Sequence, residues 1–324
     1  MQNSLSLLLT KYVSWLRHSE GINLSDKLLL FFIKLYYLAL ISFLRLALGK
    51  TRSKRLILKR GLDFGAVWYK SYRFWKMREK KRHELLKFKM PKHGFEFYCR
   101  KNKDDFKTMT FHEDDILTYH FIPKEGDIVV DVGAHIGPYT IIASKRVGLG
   151  GKVVAIEADP GNFDLLSRNI GLNKLSNVIA LNYAAYSEEK KIKLYSPSGG
   201  GEESSSYTKY NTIMLDRARD DEKFVEVKAN TLDYLLLSKN MIRQEEKVNW
   251  IKIDVEGAEY EVLKGAKDIL SKSSNVTLLI EIHNLSAGNV LYQPILEFLS
   301  LRNFKIEFEK ASESGERHII ARKY

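Results

Sequence analysis

Short apolar runs separated by helix-length segments dominate the chain from about residue 94 onward. The apolar runs predict five buried strands, at 128–132, 152–156, 178–182, 250–253 and 276–283. Amphipathic segments that predict helices lie between them, at 139–147, 162–172 and 259–270. Strands that alternate with helices are typical of a parallel sheet with helices on both faces. The pattern therefore predicts an α/β domain with a Rossmann-like sheet.

The regular alternation stops between residues 184 and 230. Two strand-like runs, at 191–195 and 224–228, flank a glycine- and serine-rich stretch at 196–206. A long loop of this composition in a compact domain is often a lid or a substrate loop. An irregular surface excursion is the other interpretation, and the sequence leaves both open.

The first strand of the domain ends on Asp131 and runs into a turn with Gly133, His135 and Gly137. Glycines at such a strand–helix junction allow the polar backbone of a ligand to approach the main chain. The spacing differs from the Gly-x-Gly-x-x-Gly turn of pyrophosphate binders, and the acidic residue suits a cationic or hydroxyl-rich ligand better. A nucleotide-like cofactor is the favoured occupant, although a tight turn without a ligand would give the same pattern.

A second acidic residue supports the cofactor interpretation. Glu157 ends the second strand twenty residues beyond Gly137, where a dinucleotide-type fold places a carboxylate on ribose hydroxyls. We also assign Asn182, at the end of the third predicted strand, to the cofactor side.

Further carboxylates follow the later strands of the predicted sheet. Asp254 and Glu256 come directly after the strand at 250–253, and the last strand carries Glu281 and His283. The carboxyl ends of parallel strands meet at the rim where open α/β sheets bind ligands, and positions 281 and 283 of an extended strand share a face. A carboxylate beside an imidazole can orient a general base.

The charge of the chain is unevenly distributed. The formal net charge is +12, yet residues 1–93 carry 21 Lys+Arg against 5 Asp+Glu, whereas the remainder carries 31 against 35. This asymmetry predicts a basic, helical extension at 1–93 with an anionic partner, followed by a catalytic-type domain at 94–324. Cys99 is the single cysteine, which excludes an intramolecular disulfide and a cysteine-based metal site.

The extension also contains an apolar segment. Leu28–Leu44 is apolar except for Lys34 and Ser42, so an interfacial helix, a membrane span and a buried core helix all remain open. From Trp68 to Lys92 aromatic and basic residues alternate, a pattern that fits an anionic membrane surface, nucleic acid or a solvated basic helix. A cytoplasmic protein at the membrane surface is the favoured interpretation.

The ordered set of motifs resembles the FkbM-type methyltransferases, which depend on S-adenosylmethionine (SAM). The resemblance rests on Gly-Asp-Ile-Val-Val-Asp-Val-Gly-Ala-His-Ile-Gly at 126–137, Glu-Ala-Asp-Pro at 157–160, Trp-Ile-Lys-Ile-Asp-Val-Glu-Gly-Ala-Glu at 250–259, Leu-Lys-Gly-Ala at 263–266 and Ile-Glu-Ile-His at 280–283. It covers roughly residues 94–310, and His135 stands where the family would have asparagine.

The resemblance implies a class I methyltransferase fold, SAM as methyl donor, and O-methylation of a sugar or another natural product. Asp131, Gly133 and Gly137 would line the amino-acid end of SAM, and Glu157 would hold the ribose. The block with Asp254, Glu256 and Glu259 would lie near the transferred methyl, with Glu256 and Glu259 on the substrate side.

The sequence also leads to a hypothesis about the reaction and the acceptor. His283 is the first choice of general base, with Glu281 or Asp254 as its orienting partner, and Asp254 is the alternative base. A divalent metal ion at these residues is possible but is not predicted. We expect a small-molecule, glycan or glycolipid acceptor at an anionic membrane surface. An RNA methyltransferase is less favoured because the acidic block would repel a polyanion, and a non-catalytic scaffold is the third alternative.

Overall fold

The computed structural model describes residues 85–89, 95–100, 105, 116, 119–195, 224–283, 291–311 and 316–324. The chain divides into two compact units, Met1–Asp114 and Asp115–Tyr324. The predicted domain boundary between residues 93 and 94 remains a prediction. The apolar segment at 28–44 and the glycine- and serine-rich stretch at 196–206 lie outside the described residues.

The described part of the first unit contains an antiparallel strand pair. Strands β1 (Leu85–Lys89) and β2 (Glu96–Arg100) pair from Leu85 opposite Arg100 to Lys89 opposite Glu96. Alternate residues of β2 are buried, including Phe97 and Cys99, which is the period of a strand rather than of a helix. The predicted helical character of residues 1–93 is therefore wrong at 85–89.

The second unit is built on a seven-stranded sheet and a smaller three-stranded sheet. The strands are β3 (Ile128–Val132), β4 (Lys152–Ile156), β5 (Val178–Leu181), β6 (Ala184–Tyr186), β7 (Lys190–Tyr195), β8 (Phe224–Thr231), β9 (Trp250–Ile253), β10 (Thr277–Ile282), β11 (Lys305–Ala311) and β12 (Arg317–Arg322). The helices are α1 (Pro138–Val147), α2 (Pro160–Leu172), α3 (Glu259–Lys264), α4 (Lys267–Lys272) and α5 (Tyr292–Ser300), together with a short π-helical turn at Tyr234–Ser238.

The order of the large sheet is β11-β12-β10-β9-β3-β4-β5. Strands β3, β4, β5, β9 and β10 run parallel, and β12 is antiparallel to both β10 and β11. Counted along the chain, the parallel strands have the order 3-2-1-4-5, so the direction of winding reverses between β3 and β9. Open α/β sheets bind ligands in the crevice at this point, outside the carboxyl ends of the strands.

The central strands β3, β4, β9 and β10 of this sheet are buried on both faces, which explains their continuous apolar runs. All five residues of β3 and all four of β9 are buried. Their apolar side chains join a core cluster that includes Leu263, Ile280 and Phe298. Burial of one such side chain stabilises the fold by about 1.5–3 kcal/mol. The predicted α/β architecture is confirmed.

Two local features set the positions of helices near the carboxyl edge. At the start of α2, the Asp159 side chain accepts a hydrogen bond from the Asn162 backbone N–H at 2.7 Å, and Pro160 occupies the first turn. The predicted single helix at 259–270 is instead two helices, α3 and α4, with Gly265 between them. The chain passes so close to strand β6 at this point that a Cβ on Gly265 would lie 2.0 Å from the Tyr186 carbonyl oxygen.

The small sheet has the order β6-β8-β7, with β6 parallel and β7 antiparallel to β8. Among the helices that the structure describes, none combines the length and apolar character needed to cross a membrane.

Candidate functional site

The turn after β3 is held by close packing of the protein against itself. Gly133 and Gly137 have φ angles of +76° and +99°, a region that strains residues with a Cβ. A Cβ on Gly133 would lie 1.8 Å from the backbone oxygen of Asp254, and one on Gly137 would lie 2.7 Å from Leu166 Cδ1. Both glycines therefore make room for the protein's own atoms, and the contact with a ligand that the sequence predicted here remains a prediction. The turn after β3 and the loop after β9 are therefore in direct contact.

Asp131 lies beneath this turn and is fully buried. Its Oδ2 accepts a hydrogen bond from Thr140 Oγ1 at 2.6 Å, and its Oδ1 is 3.5 Å from Lys252 Nζ. Asp131 thus joins the start of α1 to the neighbouring strand β9.

Lys252 connects the turn after β3 with the loop after β9. Its buried ammonium group donates a hydrogen bond to the Gly133 carbonyl oxygen at 2.8 Å and lies 3.2 Å from Asp254 Oδ2. The same group lies 5.1 Å from the centre of the Tyr139 ring. Sequence reasoning missed this residue, although a lysine inside the apolar strand Trp250–Ile253 was a usable signal.

Glu157 lies at the end of β4, on the other side of the turn. Its Oε2 accepts a hydrogen bond from the His135 backbone N–H at 2.8 Å, and its Oε1 accepts one from the Asp159 backbone N–H at 2.9 Å. Burial raises the pKa of Glu157, although the charge of His135 and these backbone hydrogen bonds act in the opposite direction. Asn182 donates to the backbone oxygen of Glu157 at 2.8 Å, so it supports the strand end that carries this carboxylate.

The residues that follow β9 and β10 converge on the imidazole of His283, which is only 5 % exposed. His283 Nδ1 is 2.8 Å from Glu259 Oε1. His283 Nε2 is 3.4 Å from Glu256 Oε2, 3.7 Å from Asp254 Oδ1 and 3.9 Å from Glu281 Oε1. The structure therefore brings together the five residues that the sequence placed at the chemical end of the site.

Glu259 is held in place from two sides. Its Oε1 accepts a hydrogen bond from the Gly257 backbone N–H at 2.9 Å as well as facing His283. Its Oε2 is buried and has no hydrogen-bond partner among the described residues. Glu259 itself is fully buried, so its contact with the rest of the cluster runs through the imidazole.

Glu281 has a second histidine partner. Its Oε2 lies 3.0 Å from Nε2 of His318, which is the residue opposite it on β12. Burial would raise the pKa of Glu281, but the hydrogen bond from His318 and the charges of His318 and His283 lower it to about 2. Sequence reasoning missed His318, because only the register between β10 and β12 places it here.

The pKa values of Glu256 and His283 are both raised. Burial and the neighbouring carboxylates raise the pKa of Glu256 to about 8, against the opposing effect of the His283 charge. Burial lowers the pKa of His283, but the Glu256 and Glu259 carboxylates outweigh this effect and raise the pKa well above its ordinary value. The cluster thus takes up protons to relieve the repulsion between its carboxylates.

Three of these side chains have the chemistry and spacing of metal ligands. One ligand atom from each of Asp254, Glu256 and His283 lies within 4.8 Å of the other two. Asp254 and Glu256 are only partly buried, so the open side of the group faces the carboxyl edge of the sheet.

Comparison with known proteins gives the same family as the sequence motifs. The family model described as the methyltransferase FkbM domain matches residues 131–306. Methyltransferase sdnD of Sordaria araneosa is 32% identical over 157 residues, which cover 43% of this chain and 60% of that protein. The hexuronic acid methyltransferase AglP of Haloferax volcanii is 31% identical over 160 residues, which cover 49% of this chain and 57% of that protein.

The matched region thus spans less than two thirds of the length of these curated relatives. Among solved structures, a SAM dependent methyltransferase from Aquifex aeolicus is 15% identical with a TM-score of 0.38, and the match covers 67% of this chain and 96% of that chain. Because the family model matches more than half of the chain, the protein belongs to the methyltransferase FkbM domain family, which confirms the family, the class I methyltransferase fold and the SAM cofactor expected from its sequence.

Proposed function

We propose that this protein is a SAM-dependent methyltransferase that methylates a hydroxyl group of a glycan, a lipid-linked sugar or a related metabolite. The observation that carries the proposal is the contact between the Gly133 turn and the Asp254 loop, where a Cβ on Gly133 would lie 1.8 Å from the Asp254 backbone oxygen. Because the Gly133 turn lies directly beside the Asp254 loop, the contact supports a cofactor site next to the cluster around His283. A methyl group carried by a cofactor on the turn would therefore lie close to an acceptor on the cluster.

The cofactor half of the site centres on Glu157. Each carboxylate oxygen accepts more than one hydrogen bond. Glu157 Oε1 accepts bonds from Asp159 and Asn162, whereas Oε2 accepts one from His135 and has further acceptor capacity. We assign this capacity to the ribose hydroxyls of SAM. Asn182 holds the backbone of Glu157, and Asp131 holds Lys252, so both act on the cofactor site as supports.

The methyl transfer itself is a displacement at carbon. The acceptor oxygen forms a bond to the methyl carbon while the carbon–sulfur bond breaks, and the bonding electron pair passes to sulfur to give the neutral thioether S-adenosylhomocysteine. The hydroxyl proton must pass to a protein group, which the enzyme aligns with the acceptor. Asp254, Glu256 and Glu281 are the partly exposed carboxylates of the cluster, with side chains 20%, 18% and 17% exposed, whereas Glu259 is fully buried. Because His283 is buried and its Nδ1 is held by Glu259, we assign the positioning of the carboxylates to His283. We assign proton uptake to Asp254, which is partly exposed and lies beside the Gly133 turn.

Two observations support a sugar-type acceptor. AglP, a relative by sequence, is named as a hexuronic acid methyltransferase. The cluster also presents several carboxylate oxygens to its open side, and such oxygens accept hydrogen bonds from hydroxyl groups. The same carboxylates would repel the phosphates of RNA. Docking on an anionic membrane surface through residues 1–93 is the part of the proposal that rests on charge alone, with 21 Lys+Arg against 5 Asp+Glu in that segment.

Transfer of the labelled methyl group of SAM into fractionated lipid, glycan and RNA pools tests the proposal. We expect label in the glycan or glycolipid fraction with the wild-type protein. Asp254→Asn should reduce this incorporation by about 10²-fold or more, in line with the usual contribution of proton transfer, and should leave SAM affinity nearly unchanged. Label in RNA alone, or full activity of Asp254→Asn, would contradict the assignment of acceptor or of base.

A further inference from the structure

Asp254, Glu256 and His283 are arranged so that one carboxylate oxygen of Asp254 is available to bind a metal ion. Asp254 Oδ2 faces Lys252 Nζ at 3.2 Å, whereas Oδ1 faces His283 Nε2 at 3.7 Å. Glu256 Oε2 completes the group at 3.4 Å from the same nitrogen. Two ligand atoms that lie on opposite sides of an ion, each about 2.1 Å from it, are about 4.2 Å apart. The three ligand atoms here lie within 4.8 Å of one another, so the side chains need to move inward only slightly to bind an ion.

The imidazole is oriented in the way that metal-binding histidines usually are. Such residues commonly donate the hydrogen of one ring nitrogen to a carboxylate, which fixes the tautomer and leaves the other nitrogen to bind the ion. Here Nδ1 lies 2.8 Å from the buried Glu259 carboxylate, and Nε2 faces Asp254 and Glu256. This orientation is a separate observation from the acidity of the cluster.

The charge balance of the cluster also calls for a cation. Four carboxylates, those of Glu256, Glu259, Glu281 and Asp254, surround one imidazole. Lys252 pairs with Asp254 and His318 pairs with Glu281. The buried Oε2 of Glu259 has no hydrogen-bond partner in the part of the chain that the structure describes. Buried carboxylates are costly unless they are neutralised by protons, cationic side chains or metal ions. A divalent ion bound between Asp254 and Glu256 would supply positive charge to these carboxylates.

We propose that Asp254 Oδ1, Glu256 Oε2 and His283 Nε2 form a binding site for a divalent metal ion, with Glu259 as the residue that positions the imidazole. Two carboxylates and one imidazole suit Mn²⁺ or Zn²⁺ better than Ca²⁺, which prefers an all-oxygen set. The existence of the metal site does not depend on the proposed function, but the role of the ion does. A bound ion beside the methyl group would hold the acceptor oxygen and lower the pKa of the acceptor hydroxyl. It would also cancel the repulsion between this cluster and an acidic sugar.

Binding of Mn²⁺ to the full-length, chelator-treated protein tests the site without any acceptor. Titration calorimetry should show one equivalent of tightly bound Mn²⁺, and the electron spin echo of the bound ion should show modulation from one imidazole nitrogen. In Glu256→Gln, Mn²⁺ affinity should fall by at least about tenfold. In Glu259→Gln it should fall by about 10–100-fold, the usual effect of removing the partner of a metal-binding histidine.

His283→Gln separates coordination from general electrostatic attraction. If the imidazole is a ligand, this variant loses the nitrogen modulation and binds Mn²⁺ more weakly. If the ion only responds to negative charge, removal of the imidazole, which carries no negative charge, should leave the Mn²⁺ affinity unchanged or increase it, and the site would be refuted. Glu261→Gln is the matched control, because this carboxylate lies on the same short helix as Glu259 but pairs with Lys264 instead.

The wild-type protein by itself can refute the proposal, since absence of stoichiometric Mn²⁺ binding needs no variant to interpret. SAM titration in the presence of chelator distinguishes this failure from failure of the proposed function. A protein that binds SAM but not Mn²⁺ is a methyltransferase candidate without this metal site, whereas a protein that binds neither loses both proposals.

Discussion

At the scale of single residues, the site depends on a lysine that is surrounded by carboxylates. Lys252 lies between Asp131 and Asp254 and is only 4% exposed. Removal of one member of a buried ion pair leaves an uncompensated charge and typically costs about 3–5 kcal/mol. This interaction makes Lys252 a structural link between the Gly133 turn and the Asp254 loop, the proposed cofactor and acceptor halves of the site.

We therefore expect Lys252→Met to lower the free energy of unfolding by about 3–5 kcal/mol, as measured by urea denaturation. The double variant with Asp131→Asn should recover part of this loss, because the buried carboxylate is then neutral. Lys247→Met, at an exposed lysine that contacts Ser274, should change stability by less than about 0.5 kcal/mol. Equal losses in the two lysine variants would show that Lys252 has no special role.

The protonation of the cluster gives the chelator-treated protein a defined pH dependence. Because the pKa of Glu256 is raised to about 8 and that of His283 is raised above its ordinary value, the folded state holds protons that the unfolded state releases. The stability from His283 is complete below its unfolded pKa of about 6.5 and is lost as the pH rises through its folded pKa. Glu256 adds a second loss of stability, which develops as the pH rises from its unfolded pKa of about 4.3 to its folded pKa of about 8.

The free energy of unfolding should accordingly fall between pH 6.5 and pH 8.5, and the fall should be smaller in Glu256→Gln. Denaturation curves at the two pH values measure this difference, with the exposed Glu188→Gln as control. At the acid end, the lowered pKa of Glu281 predicts stability that is lost as the pH falls from about 4 toward 2. A Glu256→Gln protein with the same slope as the wild type between pH 6.5 and 8.5 would refute the raised pKa of Glu256.

At the scale of secondary-structure elements, the close approach of the β3 turn and the β9 loop fixes the geometry of the site. Gly133 and Gly126 both have left-handed φ angles, at +76° and +83°. A Cβ on Gly133 would overlap the Asp254 backbone oxygen, whereas a Cβ on Gly126 would meet nothing within 4 Å. The two positions therefore separate the cost of the backbone conformation from the cost of the contact.

Gly126→Ala should cost only the roughly 1–2 kcal/mol of the left-handed conformation. Gly133→Ala should cost clearly more and should also weaken SAM binding, because the two loops must move apart. Urea denaturation and SAM titration of both variants test this expectation. Similar losses of stability in the two proteins would mean that the turn tolerates the displacement and that the contact is not decisive.

For several strands of the large sheet, the sequence pattern was sufficient to predict where the strand begins and ends. Strands β3, β4 and β9 begin and end where the apolar runs do, because strands buried on both faces must be continuously apolar. The break at Gly265 could not be predicted, since it depends on the Tyr186 carbonyl oxygen of a distant strand. His318 reaches Glu281 only through the pairing of β10 with β12, and this register has no local sequence signal.

At the scale of the whole molecule, the charge of the chain separates into a basic N-terminal segment and a near-neutral remainder. Each Lys or Arg near an anionic membrane contributes about 1 kcal/mol to binding. We therefore expect the full-length protein to bind vesicles that contain phosphatidylserine, with an affinity that decreases as the salt concentration rises.

Substitution of six basic residues of the segment by glutamine should reduce vesicle binding by at least ~100-fold, from the same contribution per charge. These residues are Lys50, Arg52, Lys54, Arg55, Lys59 and Arg60. The control replaces six exposed lysines of the second unit: Lys145, Lys193, Lys228, Lys247, Lys267 and Lys272. Vesicle flotation measures both proteins, and equal losses would show that net charge alone, rather than the N-terminal segment, determines binding.

The central claim is that the Gly133 turn and the His283 cluster are separate halves of one methyl-transfer site. SAM affinity, measured by titration calorimetry in wild type, Glu157→Ala and Glu256→Gln, tests this claim most directly. Loss of the Glu157 carboxylate should weaken SAM binding by about 10–100-fold, as expected for charge-assisted hydrogen bonds of about 1.5–3 kcal/mol, whereas Glu256→Gln should bind SAM as the wild type does. A wild-type protein that does not bind SAM, or a Glu157→Ala protein with unchanged affinity, would contradict it.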